Sequence, residues 1–523
     1  MTASPPNRGA GSTRTEREVE AKWRVHPPFV VPDLATAAGV ASVDDATTLE
    51  LRAVYWDTSD LGLAREGVTL RHRSGEGEKD GWHLKLPVTE AGVPDASTGV
   101  RDEVHAGGDA EDVPGELRDL VTAYVRTNIL GPVATLVTQR TVRVLRDADG
   151  EPLAEVTDDL VSVLSSGHVA GRFREIEVEA AGEAGVETLG SVGELLRAHG
   201  AVGGEFVPKV VRALGPQATA EPDPPPAERV GPKDPAHVAI RSILRRYVRV
   251  LLAEDVALRR GGEDAVHKMR VAARRLRSAL HTFGPLLDPQ WAGDLRDELK
   301  WLADSLGQAR DSEVQLERLT HDLDELPPEL VIGDVRERLT KDLTGKLAEG
   351  GDASLATMRS ERYVVLLERL VDAAWEPLAA PEADEKAGVV LPPLVAAAWD
   401  QLASRVKKLK APDATNRQWH KARIAAKRTR YAAEAVTPIF GSAAKEFAKR
   451  VEKCQEVLGE HQDAVVAGET LLRLAKAPRG GTVAFTLGLL HARQDEAMRN
   501  AREEFADVWA DAKAPRFRRW LQA

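Results

Sequence analysis

Residues 16–25 read E-R-E-V-E-A-K-W-R-V, and the spacing in this stretch decides how the first half of the chain folds. In extended backbone, successive side chains alternate between two faces. Glu18, Glu20 and Lys22 therefore point one way while Val19, Ala21 and Trp23 point the other. A strand with one apolar face belongs to an antiparallel sheet lying on a core. Similar runs, bounded by Gly, Asp and Ser, return at about residues 50–57, 67–73, 81–87, 99–104, 134–147, 151–164, 172–180 and 205–212. Helical insertions near 115–126 and 188–198 interrupt them.

The charged faces of these strands are sorted by sign. Arg71 with Arg73, His83 with Lys85, Arg101 with Glu103, and Glu175 with Glu177 and Glu179 stand two apart, flanked by Leu70, Leu84, Leu86, Ile176 and Val178. A solvated outer face accounts for any single pair. Five such segments, with carboxylates on some and Arg or Lys on others, suit a site that holds a metal and a polyanion together. Carboxylate oxygens serve Mg²⁺ or Mn²⁺, and guanidinium forks serve phosphate oxygens. A closed sheet with its charged face inward is a tunnel whose apolar outer face the helices cover.

These residues resemble the CYTH family of triphosphate tunnel metalloenzymes over roughly residues 14–214. The resemblance rests on the E-x-E-x-K strand at Glu18, Glu20 and Lys22, then Tyr55, Trp56 and Asp57, then L-R-x-R at Leu70 to Arg73, Lys85, and E-x-E at Glu177 and Glu179. It implies an eight-stranded antiparallel tunnel that hydrolyses, or in some members cyclises, triphosphate compounds with Mg²⁺ or Mn²⁺. Carried over by motif, Glu18, Glu20, Asp158, Glu177 and Glu179 are metal ligands. Arg71, Arg73, Lys85, Arg143, Lys209 and Arg212 hold the triphosphate, and Glu18, Glu20 and Lys22 serve the chemistry. Glu103 matches the family's mid-chain acidic position. Where the family has Ser-Lys-Tyr-x-Arg near its last strand, this chain has Pro208, Lys209, Val210, Val211 and Arg212. The lysine and arginine remain, without the hydroxyl and the phenol.

Seven prolines between Gly215 and Pro235 mark a linker. Beyond it the pattern turns to Ala, Leu, Arg and Glu at helical spacing, and it repeats. VHKMRVAARRLRSA from Val266 and WHKARIAAKRTRYA from Trp419 agree at eight of fourteen positions, and Leu306, Gly307, Asp311 and Val314 recur as Leu458, Gly459, Asp463 and Val466. Two features in one order at nearly one offset indicate duplicated helical halves, with the break expected between Pro377 and Pro393. At 100° per residue, His267, Arg270, Arg274 and Arg277 share a sector, as do His420, Arg423, Lys427 and Arg430. Neither stripe has local acidic partners, so each wants an anion, unless Asp311 and Asp463 draw the cations into a folded network.

This half resembles the CHAD family over roughly residues 236–515, on both H-K-x-R helices and both L-G-x-x-x-D turns. The resemblance implies two pseudo-symmetric helical bundles whose basic surfaces bind inorganic polyphosphate through His267, Lys268, Arg270, Arg274, Arg277, His420, Lys421, Arg423, Lys427 and Arg430. Arg241, Arg245, Arg249, Arg405, Lys407 and Lys408 are candidates to extend that surface.

The expectation is a multidomain chain with an N-terminal antiparallel β-barrel tunnel of α+β type and C-terminal all-α duplicated bundles. Its parts are a disordered tail at 1–13, the tunnel at 14–214, the linker at 215–235, a helical domain at 236–515 with repeats of about 236–376 and 394–515, and a basic tail at 516–523. At 523 residues the chain is long enough for several cores, and its formal charge of −11 excludes a protein basic all over. One cysteine, Cys454, excludes an internal disulfide. The first fifteen residues lack the apolar core of a secretory signal. A cytoplasmic protein away from membranes is expected, with polyphosphate granules as a place of association. The leading reading is a metal-dependent triphosphatase, with triphosphate and polyphosphate as partners. A non-catalytic polyphosphate adaptor and a nucleic-acid binder are the alternatives, the latter weakened by a 5% aromatic content that offers few stacking platforms.

Overall fold

The computed structural model of the chain describes residues 13–88, 98–203, 206–262, 264–411, 413–476, 481 and 483–522. The expected tail at 1–13 lies, Thr13 excepted, outside the described residues. The chain divides into two compact units, Met1–Asp223 and Pro224–Ala523. No helix among the described residues is long and apolar enough to cross a membrane.

Eight strands close the first unit into an antiparallel barrel: β1 (Arg14–Val25), β2 (Thr47–Asp57), β3 (Thr69–Ser74), β4 (Gly81–Pro87), β5 (Thr98–Ala106), β6 (Gly131–Arg146), β7 (Pro152–Ser165) and β8 (His168–Ala180). The order around the ring is β1-β5-β4-β3-β2-β6-β7-β8. β1 closes it alone: its first part pairs with β5 from Arg14 to Ala21, and its later part with β8 from Glu20 to Val25. Closure leaves no free edge, so the alternation of β1 becomes an inside and an outside.

The outside of β1 is apolar and covered. Ala21 and Trp23 join Ile176, Val178, Leu189, Val192 and Leu196 in one buried cluster, against helix α1 (Gly182–Ala198). The Trp23 ring lies on Gly193, where an added Cβ would stand 2.6 Å from it. Only glycine admits that approach, and losing the buried indole would cost about 3–5 kcal/mol.

The strand expected at 205–212 is instead, over its described part, a short helix, α2 (Lys209–Leu214), entered through Pro208 in extended geometry. Val207, Val210, Val211 and Leu214 recur at helical spacing, which outweighs the apparent alternation. Val210 and Val211 pack with Ala53, Tyr55, Leu136 and Val161, and Ala218 joins the same cluster.

The second unit is all helix: α3 (Ala236–Arg259), α4 (Ala265–Thr282), α5 (Pro289–Ser305), α6 (Gly307–Asp324), α7 (Val335–Met358), α8 (Glu361–Trp375), α9 (Ala387–Leu409), α10 (Asn416–Phe440), α11 (Ser442–Lys476) and α12 (Ala484–Ala512). Helix α9 starts within the break expected at 377–393 and carries Pro392 and Pro393 inside it. The repeat is visible in α3–α4 against α9–α10, but the halves differ. Where α5 and α6 are interrupted at Leu306–Gly307, the matching residues Leu458 and Gly459 run inside the single helix α11. Leu319, Leu339, Leu343, Leu471, Leu487 and Leu490, from both halves, share one core.

Candidate functional site

The inward face of the barrel lines a cavity of about 440 Å³. Glu18, Glu20, Glu103, Glu155, Glu177 and Glu179 supply carboxylates, while Lys22, Arg71, Arg73, Lys85, Arg101, Arg140 and Lys209 supply cations. Register explains the meeting: Lys22 lies opposite Glu177, Glu20 opposite Glu179, and Glu18 opposite Arg101. Lys22 is paired with Glu177 and Lys85 with Glu18. Lys209, at the start of α2, stands 2.6 Å from Glu177, 3.0 Å from Asp159 and 3.1 Å from Glu175.

The two signs shape each other's protonation. Burial pushes Glu18 up to about 8, helped by its hydrogen bond to Glu103. Burial likewise raises Glu179, with Glu20 and Glu155 adding repulsion. For Glu177 burial acts the same way but loses to Lys209, Lys22 and Arg140, which hold it well below the usual carboxylate range. Glu20 is also held low, by Lys22 and Lys85 against burial. On the cationic side, burial and Arg71 bring Arg73 down to about 10. Carboxylates forced up by burial beside others held ionised make an oxygen donor set short of positive charge, which fits a divalent cation.

Two expected residues lie on the other face. Asp158 is one position out of phase with Glu155, Thr157 and Asp159, and it binds Arg174 on the outside at 2.7 Å. Its neighbour Asp159 is the inward one, fully buried and 2.7 Å from Arg140. Arg143 pairs in register with outward-facing Val156, while Arg140 pairs with Asp159 and lines the cavity. Arg212 does not line it either; its guanidinium stands 2.8 Å from Glu175, where it backs the wall. Asp57 of the Tyr-Trp-Asp stretch caps the following turn, accepting from the amides of Leu63 and Ala64 at 2.8 and 2.9 Å. Tyr55 lines the cavity and accepts a hydrogen bond from Arg71 at 3.3 Å. Arg140, Asp159 and Glu155 were open to sequence reading only as neighbours of the residues chosen, because parity alone does not say which face is inside.

The second unit carries a groove of about 930 Å³. His267, Arg270, Arg274 and Arg277 of α4 line it with His420, Arg423, Lys427 and Arg430 of α10. Lys268 and Lys421 do not; each follows its histidine by about 100° of helix and is exposed. His281, four residues beyond Arg277 on the same stripe, completes the row, and Arg296, Lys300, Arg310, Arg318 and Arg428 add charge. Arg241 and Arg245 are taken up by Glu228, and Arg249 donates to the Pro224 carbonyl. Arg405, Lys407 and Lys408 stand outside the groove.

The L-G-x-x-x-D turns serve these arginines. Arg270 reaches Asp311 at 2.8 Å and Arg423 reaches Asp463 at 3.5 Å. Gly307 makes room, since a Cβ there would meet the Arg270 guanidinium at 3.3 Å. Against the expectation of no local acidic partner, Arg430 pairs with Glu434 one turn on at 2.6 Å and with Glu452. The cations still outnumber the lining acids, and burial, then Arg423 and Arg274, push the Lys427 amine down to about 6. Burial and the neighbouring Arg310 also lower His267.

Comparison with known proteins finds the family described as CYTH domain over residues 16–213 and that described as CHAD domain over residues 242–472. The "Uncharacterized protein Rv2226" of Mycobacterium tuberculosis is 37% identical over 511 residues, covering 93% of this chain and 94% of its own. Among solved structures, PptA from Streptomyces chartreusis is 28% identical and aligns with 53% of this chain and 100% of its own at a TM-score of 0.45. The CHAD domain of the plant Ricinus communis is 28% identical, covering 53% and 96%, at a TM-score of 0.41.

Proposed function

Because the chain belongs to the family of proteins that join a CYTH domain to a CHAD domain, we propose that its barrel is a metal-dependent triphosphatase and its helical unit a polyphosphate receptor. The observation that carries the reading is the enclosed meeting of a carboxylate wall from β1, β7 and β8 with a guanidinium and ammonium wall from β3, β4, β6 and α2. Arg71, Arg73, Lys85, Arg101, Arg140 and Lys209 bind phosphate oxygens and spread the charge that builds on them during phosphoryl transfer. Mg²⁺ or Mn²⁺ held by Glu18, Glu20, Glu177 and Glu179 would neutralise the phosphate chain and favour attack at its end. Lys22, held by Glu177 and 3.5 Å from Glu20, orients the water or the phosphate it meets.

Water adds to the terminal phosphorus, the anhydride bond to its neighbour breaks, and triphosphate yields orthophosphate and pyrophosphate. Among the described residues, the rings lining the cavity are Tyr55, Phe206 and the imidazole of His105. Lys22 and Arg101 stand 4.7 and 4.9 Å from the Phe206 ring centre, occupying a face that a base would need. Inorganic triphosphate is therefore favoured over a nucleotide.

In the groove, the paired stripes present phosphate-binding groups along a line, which suits a linear chain of phosphates. The test is phosphate release from triphosphate with Mg²⁺ or Mn²⁺ by the full chain and by Glu18→Gln with Glu20→Gln. A loss of about 10²–10³-fold in the folded variant is expected. Equal release by both would remove the enzyme and leave a binding protein.

A further inference from the structure

Beside the turn between β3 and β4, His83, Glu103 and His105 bring two imidazole nitrogens and a carboxylate within 4.8 Å of one another. His83 Nδ1 is 3.0 Å from Glu103 Oε1, and His105 Nε2 is 3.3 Å from Glu103 Oε2. Two ligands each about 2.1 Å from one ion, at 90–105° to each other, stand roughly 3.0–3.3 Å apart. The two spacings fit donors around a common centre as well as they fit hydrogen bonds.

Hydrogen bonding supplies a second, independent reason. His83 Nε2 lies 2.9 Å from the Lys79 carbonyl, which only accepts, so that nitrogen carries the proton. Nδ1 of a neutral ring then aims its lone pair at a carboxylate oxygen, and two acceptors face each other. A proton on Nδ1 would resolve this, but the ring is 1% exposed. Arg71 and Arg73 also stand near the ring and oppose a second proton on it. Glu103 has other neighbours: Glu18 shares a hydrogen bond with it, while Arg71 and Lys85 stand 3.6 and 3.9 Å away, beyond hydrogen-bond reach. The His105 ring packs edge-on to His83, with centroids 4.4 Å apart.

We propose that His83, Glu103 and His105 form a second metal position in the same cavity, beside Glu18, taking a first-row transition ion of the Zn²⁺ class in preference to Mg²⁺. Imidazole nitrogen suits such ions, whereas Mg²⁺ prefers oxygen and gives up water reluctantly. The site needs neither substrate nor turnover, so its test stands apart from the triphosphatase reading.

Co²⁺ titrated into the full chain, without phosphate, is expected to give a visible absorption band that Zn²⁺ abolishes and millimolar Mg²⁺ does not. His105 is partly exposed, so His105→Ala is expected to fold; it should lose more than about 100-fold in Co²⁺ affinity. The Glu18→Gln with Glu20→Gln variant should keep the band. An unchanged band in His105→Ala, equal displacement by Mg²⁺, or no band in the unaltered chain would overturn the proposal; the last would instead assign the gap to a proton on His83.

Discussion

The barrel and the helical unit both gather arginines and lysines, but their charge balance is opposite. In the tunnel nearly every cation faces a carboxylate: Lys209 touches three, and Glu177 is shared by Lys22, Arg140 and Lys209. In the groove several arginines also have acids, Arg430 with Glu434 and Glu452 and Arg318 with Glu460, but among the described residues Lys427 is left without an ion pair, and burial together with Arg423 and Arg274 drives its proton off. A wall of mixed sign suits a metal and a polyanion together, whereas a groove with excess cations suits an anion alone. The same residue types thus perform different work according to what stands opposite them.

Removing a cation from each region tests that contrast most sharply. Lys209→Met takes one cation from each of Asp159, Glu175 and Glu177 in a buried wall and leaves them only Arg140, Arg212 and Lys22, and the barrel is expected to lose about 3 kcal/mol, read by denaturant unfolding. Lys427→Met removes a buried amine from a repulsive setting, so the helical unit should gain about 1 kcal/mol while polyphosphate affinity drops about tenfold. Destabilisation of similar size in both variants would end the comparison.

The smallest effect is in pH. Below about 6 the free Lys427 amine is charged; above it the amine is neutral, and a bound polyanion restores its proton. Polyphosphate affinity should therefore rise as pH falls from 8 to 7, by less than about tenfold, and level off near 6. Lys427→Met should flatten that slope. Burial, with arginines close by, lowers His267 and His281, which also face the groove, below the usual imidazole range, so the upper window favours the lysine.

Much of this was legible in the residues. The alternation in residues 16–25, the sorting of carboxylates from arginines and the duplicated histidine helices lead to both folds and to most of the tunnel wall. The failures share one form. Asp158 and Arg143 are named from sequence while Asp159 and Arg140 face inward, since either parity fits a strand and only register with the neighbours says which is inside. Lys268 and Lys421 were carried along by their motif, although one residue of helix turns each away from the groove. His83 and His105 went unseen as a pair because they stand twenty-two positions apart in the chain and only pairing of β4 with β5 sets them side by side.

Period and residue type, which are local properties of the chain, determined that there would be strands with one charged face and helices with one basic stripe. Closure, register and crossing were settled only when distant segments met. Those meetings decided which of two adjacent acids is buried, which arginine has a partner, and where two histidines stand close enough to share an ion, because a side chain's field and burial belong to its spatial neighbours.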